Sequence, residues 1–366
     1  MIVFPQTGLR FALAAVLLLT VVYAAGAALA VPGIQKSHGL AKTNFVAAVE
    51  APSYAPGYLL AGVWQRFDTF WYLQIAGHGY EDPRSVVFYP LYPMLIRGLT
   101  LAGVPPLWAA LVIARLAAVM FLWGLIVLLS MELERAEAHW AAVWMLAWPS
   151  GFMLLAAYPE SLMLAFAVWG FHFARRGQWW IAALCGAGAA VTKAAGAAVL
   201  VGLAWQCWQD RKWRAGPLAL GAAGVGLYPA ILFISGLPQP AAVYPAHWRT
   251  VPAWPWETLW AVVRGGGDVV LWFDVGCLVL IALLVWRKPL RPAYAAYSAA
   301  LIALFLTKKT DPLLQSTMRY LLSVFPAFGS LGAGLKDPYA RAALLTVLAV
   351  LHATFVFAFW MWSLVV

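Results

Sequence analysis

Residues 11–31 read FALAAVLLLTVVYAAGAALAV, twenty-one residues with no charge among them, directly after Arg10. At ~1.5 Å per residue a helix of that length reaches about 30 Å, the thickness of a bilayer's hydrocarbon core. Its small-residue end (Ala24, Ala25, Ala27, Ala28) has the character of a signal-peptide cleavage region. The run is longer than a secretory h-region, however, and further apolar runs follow it. The reading is an uncleaved signal-anchor with its N-terminus in the cytoplasm.

The rest of the chain repeats the pattern. Candidate spans are Pro106–Met131, Trp140–Ala157, Ser161–Phe173, Trp180–Ala194, Gly196–Trp208, Pro217–Gly236, Val269–Trp286, Ala293–Leu306, Tyr320–Leu335 and Ala342–Leu364. With the first run they predict an all-α polytopic membrane protein of about eleven transmembrane helices, one domain over residues 1–366. Several are too short to cross the core unaided, which a membrane tolerates where broken backbone is buried in protein or lines a cavity. The composition agrees: 64% of the 366 residues are apolar, 10% are charged, and the mean hydropathy is +0.81. A soluble domain carries roughly 25% charged residues. A water-soluble globule and a disordered chain are therefore excluded. Long continuous runs also exclude a transmembrane barrel, whose strands alternate over about ten residues.

The formal charge of +10 follows the membrane, not nucleic acid. Arg10, Arg135, Arg175–Arg176, Arg211–Lys212–Arg214, Arg287–Lys288–Arg291 and the Lys336/Arg341 pair fall in short loops on one side, as the positive-inside rule requires of a cytoplasmic face. The remaining basic residues lie on the opposite side or within spans, and Lys193, Arg249, Lys308, Lys309 and Arg319 collect where an anion would bind. Cys185, Cys207 and Cys277 are scattered through apolar runs and fit packing better than a disulfide or a metal. No HxH or HExxH arrangement is present, so the sequence predicts neither a metal site nor a cofactor.

Two long outer loops, residues 32–104 and 237–268, hold most of the remaining polar chemistry. In the first, Asp68 precedes Trp71, Ile75 and His78 at helical spacing, which puts it at the start of a short amphipathic helix. There it is either an N-cap or a general base facing the membrane surface. The stretch Val87-Phe88-Tyr89-Pro90-Leu91-Tyr92-Pro93 has paired X-Pro steps and reads as an extended aromatic re-entry segment. The second loop is dense in Pro and Trp, a headgroup-belt composition. Glu160, in Tyr158-Pro-Glu160-Ser161, either caps the helix it begins or faces the same surface. Lys193 interrupts an apolar run, where a charge costs ~2.5–3.5 kcal/mol on insertion scales and needs a partner or a function. Lys308, Lys309 and Arg319 border a span on the outer edge, and Arg in particular matches phosphate oxygens.

Taken in order, these stretches resemble the GPI mannosyltransferase II (PIG-V-like) family of GT-C glycosyltransferases. The matching residues are Arg66-Phe67-Asp68 with Trp71-Tyr72 and Gly79-Tyr80, then Phe88-Tyr89-Pro90-Leu91-Tyr92-Pro93, Tyr158-Pro-Glu160-Ser161-Leu162, Arg175-Arg176-Gly177 to Thr192-Lys193, Trp254-Pro255-Trp256 and Met318-Arg319-Tyr320-Leu321. The family usually has Trp-Asp for Phe67-Asp68, Phe-Phe-Pro for Phe88-Tyr89-Pro90, and Arg for Lys193. The resemblance implies a GT-C-like bundle whose outward face takes a hexose, mannose in that family, from a polyprenyl-phosphate donor. Transfer would go to a lipid or glycan acceptor, with inversion. It implies Asp68 as catalytic base, and Arg319, Lys308, Lys309 and Lys193 around the donor phosphate. Arg66, Trp71, Tyr72, His78, Tyr89, Tyr92, Glu160 and Tyr320 are the expected substrate contacts. His78, Glu160 and Glu81 are the rival bases. The competing class is a transporter or flippase for a lipid-linked or anionic substrate, which would need gating charges on both faces and a midplane site. A non-catalytic scaffold would leave the intramembrane ionisable residues unexplained.

Overall fold

The computed structural model describes residues 6–37, 49–210, 215–265, 269–287 and 290–363; the basic cluster Arg211–Lys212–Arg214 and Lys288 lie outside the described residues. The fold is an all-α multi-pass membrane bundle. Among the described residues, five helices are long and apolar enough to cross a bilayer: those that span Gln6–Ser37, Pro106–Leu129, Ala215–Ile234, Val269–Arg287 and Pro338–Trp360. Shorter apolar helices fill the gaps, among them Trp179–Thr192 and Pro292–Leu306.

Pro106–Leu129 is the central pillar. Two thirds of its apolar window (67%) is buried against protein, compared with 22–28% for the other four. It packs against Glu160–Arg175 on one side and Gln6–Ser37 on another, and Glu160–Arg175 in turn packs against Trp179–Thr192. At Gly124 a Cβ would lie 2.7 Å from the Trp169 indole nitrogen, so glycine permits this approach. On the outside, Leu17, Val21, Leu29, Phe233, Ile234 and Val269 stand exposed. A solvent of hydrocarbon accounts for that face, since water would drive such side chains inward.

Two candidate spans are broken. Trp140–Ala157 becomes the helix Arg135–Ala147 and a 3-10 turn Gly151–Leu154, because Trp148 precedes Pro149 and is extended (φ −54°, ψ 145°). Tyr320–Leu335 becomes Thr317–Leu322 and Phe325–Gly334, parted at Val324, with Pro326 just inside the second helix, where a missing N–H does no harm. The expected extended segment around Pro90 and Pro93 is corrected by the same rule. Pro90 caps and Pro93 enters the first turn of a helix, Leu91–Leu101, whose first N–H groups have no intrahelical partner to lose.

The all-α reading misses one feature. β1 (Thr250–Pro252) pairs antiparallel with β2 (Lys308–Thr310), Thr250 opposite Thr310 and Pro252 opposite Lys308. Three residues per strand give no usable alternation in the sequence. The ladder fastens the Pro/Trp-rich loop to the segment that carries Lys308.

Candidate functional site

Asp68 is the first residue inside the helix Asp68–His78, and the cap position falls on Phe67, whose side chain makes no cap hydrogen bond. Asp68 is therefore a first-turn acid and not the N-cap. Phe67 just before it has φ 47° and ψ −117°, a left-handed conformation unusual for an aromatic residue, held by ring contacts to Phe359 (5.5 Å) and Trp362 (5.2 Å). The Tyr158 hydroxyl staples this turn: it donates to the Arg66 carbonyl (3.1 Å) and accepts from the Asp68 amide (3.2 Å). The result aims the Asp68 carboxylate into a cavity of about 740 Å³.

Around the cavity, four stretches far apart in sequence meet. Arg319 donates from Nη1 to Asp68 Oδ2 (2.6 Å) and from Nε to Glu160 Oε1, and its guanidinium lies over the Tyr158 ring at 4.6 Å. Glu160, wholly buried, also accepts from Lys193 Nζ at 2.7 Å through the same Oε1, while its Oε2 has no partner among the described residues. Lys193 can reach this point because the helix Trp179–Thr192 stops one residue earlier and the chain bends extended at Lys193. The bend is tight: a Cβ at Gly196 would lie 1.9 Å from the Ala189 carbonyl oxygen. Arg319 is fixed from behind, since the neighbouring Met318 carbonyl accepts from Trp148 Nε1 (3.0 Å) and Ser150 Oγ (2.8 Å).

The opposite wall is aromatic. Trp71 stacks on Phe88 (5.7 Å, 15°) and meets Trp248 edge-on (5.6 Å, 61°). Beside it, Lys308 Nζ donates to the Tyr244 hydroxyl (3.2 Å) and sits over that ring at 4.4 Å. Burial works against the Lys308 charge, but the phenols of Tyr320 and Tyr244 outweigh it and hold its pKa above the ordinary lysine value. Arg84 also lines the cavity and hydrogen-bonds Asp82, which holds that carboxyl below the usual carboxylate range.

Of the expected site residues, Asp68, Trp71, Tyr72, Tyr89, Lys193, Lys308, Arg319 and Tyr320 line this one cavity, and Glu160 lies directly behind it. Four do not. Arg66 is fully buried and donates to the carbonyls of Trp360 (3.0 Å) and Gln65 (2.9 Å) and to the Tyr58 hydroxyl (3.0 Å), so it builds the turn before Asp68 and is out of a substrate's reach. Tyr92 is likewise buried, its hydroxyl spent on the Ala110 carbonyl (2.9 Å). His78 is exposed at the far end of Asp68's helix, ~15 Å along the axis from it. Lys309 is exposed beyond the cavity because alternate strand residues point to opposite faces.

Sequence reasoning passed over Arg84, Tyr158, Tyr244, His247, Trp248 and Gln315 as lining residues. Tyr158 stood inside a quoted motif, and its place beside Glu160 was the available signal; the loop residues offered none. Among the described residues no cluster of three His, Cys, Asp or Glu could hold a metal ion.

No protein-family model matches the chain. No curated protein matches it either. Among solved structures it is similar to ArnT from Cupriavidus metallidurans bound to undecaprenyl phosphate, at 14% identity and a TM-score of 0.47, over 81% of this chain and 71% of that one. The same ArnT in the apo state matches at 15% identity and a TM-score of 0.47, again over 81% and 71% of the two chains. At that identity and score the likeness assigns neither activity nor substrate.

Proposed function

We propose that this protein is a membrane glycosyltransferase that moves a hexose, mannose on the PIG-V-like reading, from a polyprenyl-phosphate donor to a lipid or glycan acceptor. The reaction takes place on the extracytoplasmic side, with the N-terminus in the cytoplasm. The observation that carries this reading is the Asp68 carboxylate, 2.6 Å from Arg319 inside an aromatic-walled cavity that also holds Lys193 and Lys308. A transfer needs a base for the acceptor hydroxyl, cations for a departing phosphate, and flat apolar rings for sugar and prenyl carbon. All three occur together here.

In the reaction, the acceptor hydroxyl gives its proton to Asp68 as its oxygen bonds to the donor's C1. The ion pair with Arg319 engages Oδ2 and leaves Oδ1 to take that proton. The bond from C1 to the phosphate oxygen breaks on the opposite face, its electron pair leaves with the phosphate, and the configuration at C1 inverts. The leaving group is already an anion, so it needs positive charge more than a proton. Glu160 is a poor rival base because it is fully buried behind the cavity, where an acceptor hydroxyl does not reach it, and two cations neutralise it there.

The test is turnover of radiolabelled polyprenyl-phosphate mannose, with polyprenyl-phosphate glucose alongside, by the chain in nanodiscs supplied with a total lipid extract as acceptor. Asp68→Asn is expected to lower the rate by about 10²–10⁴ with folding retained. Near-normal turnover in that variant together with a dead Glu160→Gln would move the base to Glu160.

A further inference from the structure

The charges that face the cavity do not balance, and the imbalance sits on one residue. Arg84 is paired with Asp82 at 2.5 Å. Lys193 is paired with Glu160 at 2.7 Å. Arg319 is held by Asp68 and Glu160 together. Each of these three cations already has a carboxylate, and Arg319 has two. Lys308 has none within 4.0 Å among the described residues; its partner there is the Tyr244 hydroxyl. A half-buried ammonium without an anion is costly in free energy, and a cavity that opens onto it supplies the way to relieve that.

The donors at this point also converge. A lysine ammonium has three N–H groups, and Tyr244 takes one. The phenol that accepts from Lys308 keeps its own O–H to donate onward. Lys308 is held in place from both sides, by β2 pairing with β1 and by the helix Pro240–His247 that carries Tyr244. An ammonium and a phenol on neighbouring rigid elements suit a tetrahedral oxyanion with several acceptor atoms.

We infer that Lys308 and Tyr244 form the seat of the donor's phosphate anion, and that Arg319 stays with Asp68 and Glu160 as the positioning residue of the base. This rests on the polyprenyl-phosphate reading above and assigns its two cationic tasks to different residues. A phosphate at Arg319 would sit against the Asp68 and Glu160 carboxylates that already neutralise that guanidinium, whereas at Lys308 it would meet a cation with no carboxylate within 4.0 Å among the described residues.

The central comparison is between Lys308→Gln and Arg319→Gln, which each remove one positive charge, so that general attraction is held constant between them. The full chain in phosphatidylcholine nanodiscs is titrated with undecaprenyl phosphate and with uncharged undecaprenol, and bound lipid is counted by native mass spectrometry. The wild type is expected to prefer the phosphate. Lys308→Gln should weaken undecaprenyl phosphate binding by roughly 30-fold and leave undecaprenol binding unchanged, as truncation at a buried charged contact does. Tyr244→Phe should weaken it by about fivefold, the size of one hydrogen bond. Arg319→Gln, and Arg319→Lys should the first not fold, should bind undecaprenyl phosphate within about threefold of wild type while transfer falls. Equal losses in the Lys308 and Arg319 variants, or a loss confined to Arg319, would overturn the assignment and leave the glycosyltransferase reading standing. A wild type with no preference for the phosphate would overturn both. Competition by phosphatidylglycerol or by inorganic phosphate identifies the source of the anion: displacement by either at parity with undecaprenyl phosphate would mean a general anion site and defeat the donor seat.

Discussion

The helix Glu160–Arg175 carries an ion-pair cluster at each end, about 24 Å apart, and the two ends behave differently. At its C-terminal end Arg175 bonds Glu132, which Arg291 also approaches at 3.4 Å. At its N-terminal end Glu160 binds Lys193 and Arg319, and Arg319 continues to Asp68. Both ends have one more cation than anion once Lys308 is included. At the Arg175 end the side chains keep 17–28% of their surface, so water can complete their solvation. At the Glu160 end the acid keeps 0% and the excess charge faces a cavity. On the function proposed above, the same chemistry is a helix fastening where the shared acid is wetted and an anion site where the shared acid is wholly buried beside a cavity.

The comparison breaks most sharply at Asp68. If the N-terminal cluster were another fastening, Asp68→Asn would be mild, since the amide keeps the size and much of the polarity. A loss of about 10²–10⁴ in transfer rate with an unchanged Tm is the expected result, read by radiolabel transfer and thermal unfolding in parallel. Glu160→Gln comes next and acts differently. The amide cannot neutralise Lys193 and Arg319, so the variant should lose about 3–5 kcal/mol of stability, measured by denaturant unfolding in detergent, and activity with it. A retained Tm there would mean that the two cations find other partners. Ser150→Ala is smaller again. It removes one of two donors to the Met318 carbonyl, worth ~1 kcal/mol, and should lower turnover a few-fold by loosening Arg319 without altering the charge of the site. No change in turnover would separate Ser150 from the positioning of Arg319.

Much of this arrangement could be read in the chain, and what could not has physical causes. The apolar runs gave the spans because lipid demands a continuous hydrophobic surface, and Pro106–Leu129 ends within two residues of its sequence bounds. Lys193 was marked by a charge in an apolar run, and Asp68 by its place ahead of a helical stripe. Arg66 misled because a charged residue in an outer loop normally faces solvent or ligand, whereas this one is fully buried among backbone carbonyls. Lys308 and Lys309 are adjacent and chemically alike; only the pairing with β1 places one in the cavity and the other outside. That pairing joins segments more than fifty residues apart, and three-residue strands carry no periodic signal. Tyr244 and Trp248 were hidden for the same reason: their loop reads as a headgroup belt, and tertiary contact alone turns one face of it inward.

The smallest expected effect sharpens the contrast from the other end. Glu132→Gln removes the acid that Arg175 and Arg291 share. With Lys193 and Arg319 the equivalent loss strands two cations in a dry site. Here both guanidinium groups remain partly exposed, so water replaces the carboxylate at modest loss, on the order of 0–1 kcal/mol as for surface pairs. Arg175 and Arg291 also lie on two different helix termini, Glu160–Arg175 and the start of Pro292–Leu306, so what the pair contributes is fastening between elements. Glu132→Gln should therefore shift Tm slightly, more at low ionic strength than at high, because exposed pairs are screened by salt. Transfer rate and undecaprenyl phosphate binding should both stay at wild-type level, since the cavity is a full helix length away. A several-fold fall in either, with Tm retained, would mean that the two ends of the helix are coupled and that the C-terminal cluster belongs to the working site.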